Sequence, residues 1–538
     1  MSVDFNKLLA ELPAVLTAEE MAAVDKYTIE TLNLPGRVLM ENAGRAMFEI
    51  IRQRWHPLAG KRVTIFCGKG NNGGDGMVIC RLLREAGAWC ETYLLGQPAD
   101  LRGDAAANYE LLVKLGAQVT SITENSAPPS LRGVDFAIDA LLGTGVRGPL
   151  QGLLARVVDH INASGIPVLA VDLPTGMNAD NGAVEGPCIR AHLTVTIGAR
   201  KTGLLFSPAR EFAGEVHVAD IGFPRMAFEA ALSSRCHLLA GPTMAQWLPQ
   251  REPTAFKNRV GQILVVAGSR GFGGAGRMTA TSALRAGAGL VVLAAPESLI
   301  TALESATAEV IKHPLPEKDG ALAPGVFGHL QERMRWAEVL AIGPGLGTSP
   351  GAAEMVRALV AEFKGTVVLD ADGLNVMAGE LETIRKSPAQ IVLTPHPGEL
   401  SRLVSVDKSE LKEAPLEVAR RVAQDLGHVL VLKGAPTIVA LPSGELMINS
   451  TGNAGMATGG SGDVLTGIIA GLAGQGLPPG MAAGLGVYLH GLAGDMARDK
   501  LGMWSMIAGD ILEAVPEAFL RTMNYALDWS QQDRRKIN

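Results

Sequence analysis

The stretch Val63-Thr64-Ile65-Phe66-Cys67 is followed at once by Gly68-Lys69-Gly70-Asn71-Asn72-Gly73-Gly74-Asp75-Gly76. The first five residues are apolar or β-branched and show no polar alternation, so they read as a strand buried on both faces. The glycines and asparagines after them allow positive φ and let backbone N–H groups meet an anion at the start of the next helix. A strand, a glycine turn and a helix in that order open a doubly wound α/β unit. The same punctuation recurs downstream. Short apolar runs at 92–95, 136–142, 168–171 and 193–197 each lead into a turn rich in glycine or aspartate. Upstream, Thr17 and Glu20 form a capping box that predicts a helix over 18–30, and a second helix is expected over 38–54.

The pattern restarts after residue 222, with strands expected at 263–267, 290–294, 339–342, 367–369, 391–394 and 429–433. The expected organisation is therefore α/β in two domains, each a parallel, doubly wound sheet. The first covers 1–222, a linker covers 223–240, the second covers 241–520, and 521–538 is a polar tail.

Composition narrows the function. With 538 residues, 47% hydrophobic and 19% charged, the chain can bury a large core and is not disordered. A net charge of −6 and 4% aromatics argue against a nucleic-acid partner. The five cysteines are odd in number and none is spaced C-x-x-C, which suits reduced thiols in the cytoplasm. MSVDFNKLLAELP has no basic segment followed by an apolar one, so no signal peptide is expected. The most apolar region, 464–477, is shorter than the ~20 residues of a membrane helix. Gly467, Gly471 and Gly474 interrupt it, as in a buried helix packed through small residues, and no membrane association is expected.

Candidate chemistry gathers at strand ends. Asp139 opens a turn through Gly143, Thr144, Gly145, Val146, Arg147, Gly148 and Pro149, and Asp172-Leu173-Pro174-Thr175-Gly176 forms another. Ligands of open α/β sheets bind outside the carboxyl ends of strands, so these turns should converge on the one at residues 68–76. A dehydrogenase would also need an acid at the end of its second strand, and Glu91 instead opens that strand. In the second half, Gly459-Gly460-Ser461-Gly462-Asp463 precedes an apolar helix over 464–473. A glycine anion hole beside one aspartate is a sufficient kit for phosphoryl transfer, and no Walker loop is present.

GKGNNGGDG, DALLGTGVRGP, VDLPTG and LMENAG closely resemble the NAD(P)HX epimerases, over about residues 12–222. These enzymes act on reduced nicotinamide nucleotides hydrated at C6. The resemblance implies that Asn71, Asn72, Gly73, Gly74, Asp75 and Gly143 to Pro149 bind the hydrated nucleotide. It also implies that Asn72, Asp139 and Thr175 hold potassium and that Asp172 faces the reacting ring as proton shuttle. Lys201 matches a late lysine of the family.

GGSGD resembles the ribokinase-like kinases. GGAGRM, IGPGLG, LDADGLN, LTPHPGEL and LKGAPTIV narrow the likeness to the ADP- or ATP-dependent NAD(P)HX dehydratases, over about residues 240–515. By that likeness Ala275, Gly345, His396 and Asp463 contact the hydrated nucleotide, with Asp463 as base. Lys433, Gly434, Ala435, Pro436, Thr437 and Gly462 contact ADP or ATP, and magnesium accompanies it. Asp370 and Asp372 are read as structural. A Rossmann-like epimerase fused to a ribokinase-like dehydratase, self-associating into a homo-oligomer, is the expectation. A ribokinase-like small-metabolite kinase fused to a Rossmann-like binding domain is the alternative.

Overall fold

The structure, a computed structural model, describes residues 5–537, with the backbone alone at residue 6 and at 526–537. It separates into two compact units, Ala14–Arg235 and Met1–Pro13 with Cys236–Asn538. The expected linker over 223–240 is built into both. Arg225–Ala231 is a helix whose Ala227 is buried with Met21 and Val24, and Cys236–Leu239 is a strand of the second sheet. Residues before Pro13 join the second unit, where Leu9 and Leu12 pack with Leu239 and Trp247.

The first unit is built on β1 (Arg62–Cys67), β2 (Trp89–Leu95), β3 (Val119–Ile122), β4 (Phe136–Ala140), β5 (Val168–Val171), β6 (Leu193–Ile197) and β7 (Glu215–Ala219). All pair in parallel, in the order β3-β2-β1-β4-β5-β6-β7, so the chain reverses direction between β1 and β4. That reversal opens a crevice at the strands' carboxyl ends. The edge strands β3 and β7 escape a reading by apolar runs, because several of their residues are exposed or half-buried.

The glycine turn after β1 differs from expectation in its physical reason. None of Gly68, Gly70, Gly73, Gly74 and Gly76 takes a left-handed φ. Four of them, Gly68, Gly73, Gly74 and Gly76, stand where the chain is crowded, whereas Gly70 has open space around it. A Cβ on Gly68 would lie 1.9 Å from the Leu141 carbonyl oxygen, and one on Gly73 would lie 2.0 Å from the Gly68 oxygen.

The second unit holds β8 (Cys236–Leu239), β9 (Gln262–Val266), β10 (Leu290–Pro296), β11 (Ile311–Leu315), β12 (Val339–Ile342), β13 (Thr366–Leu369), β14 (Gln390–Leu393), β15 (Val429–Leu432), β16 (Thr437–Ala440) and β17 (Leu446–Asn449). Their order is β8-β17-β16-β15-β14-β13-β12-β9-β10-β11. The sheet is parallel except that β16 runs antiparallel to both neighbours, a departure from the all-parallel expectation. Here the reversal lies between β9 and β12.

Helix Ser461–Gly474 is buried from Val464 onward. It lies against helix Gly273–Arg285 through Gly467 and Gly471, where a Cβ would come within 2.1 Å of the Thr279 oxygen and 2.5 Å of the Ala283 oxygen. Among the described residues no helix is long and apolar enough to cross a membrane. The expected polar tail over 521–538 instead continues helix Ala508–Ile537 as far as the described residues go, with Thr522 fully buried.

On an exposed helix Gly→Ala gains about 1 kcal/mol. At Gly467 the added methyl meets a carbonyl, and overpacking of this kind costs roughly 1–3 kcal/mol. Gly467→Ala is therefore expected to lower the melting temperature in scanning calorimetry. A rise would mean that the two helices are not in this contact.

Candidate functional site

In the first unit the turn after β5 begins at Asp172, a non-glycine residue at φ 66°. Asp and Asn enter that region more readily than other L residues, and where a buried one is held there its partners fix it. Three donors hold the side chain, and a backbone bond holds the main chain. Lys201 Nζ donates to Asp172 Oδ1 at 2.5 Å, Ile197 N at 3.0 Å and Thr196 Oγ1 at 3.1 Å, while Asp172 N is tied to the Val195 oxygen at 2.9 Å. Lys201 is fully buried, and its ammonium also donates to the Ile197 oxygen at 2.7 Å and to Thr196 Oγ1 at 3.2 Å. Asp172 Oδ2 faces the crevice. A Cβ on Gly143 would lie 3.1 Å from it and 3.6 Å from Asn72 Oδ1. The turns after β1, β4 and β5 therefore do converge.

Asp139 lies beneath them, fully buried. Its Oδ1 accepts from Thr175 Oγ1 at 2.7 Å and Leu141 N at 3.2 Å, and its Oδ2 accepts from Thr175 N at 2.8 Å. Burial pushes its carboxyl up to about 6, opposed only by these N–H and O–H donors. Asn72 Nδ2 is buried without a partner among the described residues. Asp75 is buried within helix Asn71–Glu85, and burial, then the neighbouring charges of Asp172 and Asp25, raise its carboxyl well above the usual range.

The other residues expected here are more dispersed. Gly73 and Gly74 are buried, Gly74 against Met40 and Ala105. Asn71 and Gly145 are exposed, and Thr144 is half-buried. Val146 is buried, and Arg147, Gly148 and Pro149 lead outward, with Arg147 paired to Asp180 at 3.6 Å. Thr196 and Asp25 escaped the sequence reading. A buried threonine in a strand covered on both faces is the one cue that could have pointed to Thr196.

In the second unit, Gly460 caps helix Ser461–Gly474 in the left-handed conformation, φ 94°. A Cβ on Gly462 would lie 3.3 Å from Lys433 Nζ and 3.8 Å from Asp370 Oδ2, so the expected anion hole and lysine do meet. Lys433 donates to Asp370 Oδ1 at 2.7 Å, and Thr466 Oγ1 donates to Asp370 Oδ2 at 2.7 Å. Burial works against the Lys433 ammonium, but Asp370 and Glu399 outweigh it and hold its proton above the usual range. Asp463 is pushed up to about 6 by burial and by Asp370, with Lys433 opposing. Asp372 is held by Gly347 N at 2.8 Å and Asn375 Nδ2 at 3.2 Å.

Ala275 and Gly345 touch: a Cβ on Gly345, at φ 61°, would lie 2.9 Å from Ala275 Cβ. His396 caps its own helix, Pro397–Val404, with Nδ1 accepting from Gly398 N at 3.0 Å. Its Nε2 lies 3.6 Å from Glu399, whose other oxygen is 3.8 Å from Lys433. Gly434 and Ala435 are exposed and Pro436 is buried, in a turn closed by Thr437 Oγ1 donating to the Gly434 oxygen at 3.1 Å. His490 was not anticipated. It is buried, its Nε2 lies 3.3 Å from Ser461 Oγ, and burial lowers it to about 4, so it is neutral.

A family model described as NAD(P)H-hydrate dehydratase matches residues 263–517, and one described as YjeF-related protein N-terminus matches residues 36–203. The chain is 44% identical over 508 residues to the bifunctional NAD(P)H-hydrate repair enzyme of Moorella thermoacetica, covering 93% of this chain and 96% of the relative. It is 36% identical over 500 residues to the enzyme of that description from Escherichia coli, covering 93% and 92%. Among solved structures, the ADP/ATP-dependent NAD(P)H-hydrate dehydratase of Bacillus subtilis co-crystallised with ATP and Mg2+ is 29% identical at a TM-score of 0.45, over 53% of this chain and 98% of that one. The chain belongs to the bifunctional NAD(P)H-hydrate repair enzymes.

Proposed function

We propose that the Rossmann-like unit epimerises hydrated NADH and NADPH at C6 and that the ribokinase-like unit dehydrates the S form at the expense of ADP or ATP. The observation that carries this reading is the carboxylate poised in each unit: Asp172, held by a buried lysine, and Asp463, raised to about 6 beside an anion hole.

Epimerisation requires a proton to move at the C6 oxygen, whether the hydroxyl leaves or the ring opens. Asp172 moves it, and Lys201 positions Asp172. Asn71 to Asp75 and Gly143 to Pro149 frame the hydrated nucleotide, with the free Asn72 Nδ2 as a donor to it. Potassium fits the oxygen set of Asn72, Asp139 and Thr175, because Asp139 is a buried carboxylate with no cationic side chain among its described partners. When bound, that ion would neutralise charge beneath the substrate.

In the second unit Asp463 takes the proton of the C6 hydroxyl as its oxygen attacks the terminal phosphorus of the nucleotide, and the terminal phosphoanhydride bond breaks to release AMP from ADP or ADP from ATP. The ring nitrogen's lone pair then expels phosphate, and loss of a C5 proton restores the double bond. Lys433 to Thr437 and Gly462 hold the nucleotide, and Ala275, Gly345 and His396 hold the hydrate. Asp370, Asp372, Glu399 and Asp463 outnumber Lys433, an acidic excess that suits a divalent ion carried in on phosphates. Magnesium would supply charge neutralisation there. We also place the enzyme in the cytoplasm, supported by five cysteines with no disulfide among the described residues. Exposed Met503, Trp504 and Ile507 support self-association, and light scattering of the pure protein is expected to give a mass above 56.3 kDa.

The separated epimers of hydrated NADH, given to the enzyme with ADP, ATP or neither, test the reaction by return of the reduced-nicotinamide absorbance. Both epimers should be recovered, and only with nucleotide. Asp463→Asn should slow recovery by roughly 10²–10⁴-fold, the usual worth of a general base. Asp172→Asn should leave one epimer unconsumed. Recovery of neither epimer by the wild type would refute the assignment.

Asp463 acts ionised, so the dehydration rate should fall as pH drops through about 6. A pH–rate profile flat between 5 and 7 would exclude it as the base.

A further inference from the structure

Phe272 stands at the chain reversal of the second sheet, in the turn after β9, and is 62% exposed. The turn itself is tightly held. Phe272 N donates to the Ser269 oxygen at 2.8 Å, and the Phe272 oxygen accepts from Ala275 N at 3.1 Å. Ser269 Oγ donates to the Gly345 oxygen at 2.8 Å. A Cβ on Gly345 would lie 2.9 Å from Phe272 Cβ, so the root of the ring is pinned against the turn after β12.

The ring contributes little to the core. Among the described residues it stacks on no other ring and carries no cation, whereas exposed Phe256 has Arg259 over its face at 5.2 Å. A rigidly rooted, unpartnered aromatic face in a ligand crevice is the usual form of a stacking surface. The Gly460 turn lies beside the helix that follows Phe272. Met278, on that helix, has its Cε 2.7 Å from where a Cβ of Gly460 would sit. The helix that Phe272 precedes, Gly273–Arg285, therefore packs beside the Gly460–Asp463 turn.

We infer that the Phe272 ring is the platform on which the hydrated nicotinamide ring lies while Asp463 reaches its C6 hydroxyl. This rests on the dehydratase reading above. The ring bearing C6 is the one that must lie between Asp463 and the facing turn. Its conjugated carbonyl, double bond and ring nitrogen form a flat surface that a phenyl face can cover. When the nitrogen lone pair expels phosphate, the C6–O bond breaks and a C6–N double bond bearing positive charge forms transiently, which an aromatic face favours.

Steady-state dehydration at saturating ADP tests the platform with Phe272→Ala and Phe272→Tyr. Loss of one stacked ring should raise the KM for hydrated NADH by roughly 5- to 100-fold in the alanine variant. The KM for ADP should not change, and tyrosine should restore wild-type behaviour. Hydrated nicotinamide mononucleotide should suffer the same relative loss. An unchanged KM for the hydrate, a defect confined to ADP, a tyrosine variant as poor as alanine, or a loss that vanishes with the mononucleotide would each overturn the inference. Calorimetric titration with NADH, which needs no turnover, separates the two readings. Weakened binding by Phe272→Ala in a wild-type background that dehydrates nothing would sink the reaction and keep the platform.

Discussion

The buried ion pair between Lys201 and Asp172 is the constraint around which the first unit is arranged. A lysine with no exposed surface loses its hydration, and several kcal/mol must be recovered from its partners. Three acceptors recover it: the Asp172 carboxylate, the Thr196 hydroxyl and the Ile197 carbonyl. Two of these belong to the end of β6, so the strand, the lysine and the aspartate are fixed as one object. Lys201 is itself anchored, because Arg200–Lys201 pairs in parallel with Val15–Leu16. The left-handed φ of Asp172, a strain of about 1–3 kcal/mol, persists because this network leaves the carboxylate nowhere else to go. The second unit applies the same device at β13 and β15, where Lys433 is held by Asp370 and Asp370 by Thr466.

Two acids in one crevice acquire different tasks from their surroundings. Both oxygens of Asp370 are committed, one to an ammonium and the other to a hydroxyl, so moving a proton there would break contacts that hold the helix start in place. Asp463 sits at the helix N-terminus within the field of Asp370, and burial with that repulsion brings it to about 6. If Asp463 is the base, as proposed, a carboxylate tuned near neutrality beside one kept as an anchor gives one site both chemistry and shape.

What could be read in the sequence follows from the range of the interaction. Short apolar strands and their glycine turns are local signals, and the central strands of both sheets lie where the apolar runs put them. The Thr17–Glu20 capping box is local too, and it forms. Yet Glu20 also accepts from the backbone of Ser233 and Ser234, a contact across more than two hundred residues that no local pattern encodes. The edge strands were missed because half-exposed residues dilute the apolar signal. At Gly68 and Gly73 the residue type was legible but its reason was not, since crowding by Leu141 exists only once β4 has folded beside β1. Asp370 read as structural from its strand-end position. Only the fold shows that Asp370 holds Lys433 and is itself held by Thr466.

The joining of two such units in one chain has a chemical logic that does not depend on how they are arranged. Hydration at C6 creates a stereocentre, and a crevice that presents one C6 hydroxyl to Asp463, as proposed, would turn the other configuration away from it. A dehydratase of that kind would clear only part of its substrate. In the proposed epimerisation the carboxylate fixed by a buried lysine would act at the same carbon without a nucleotide, because it needs only to move a proton at oxygen. The selectivity of the second site therefore creates the requirement that the first one meets.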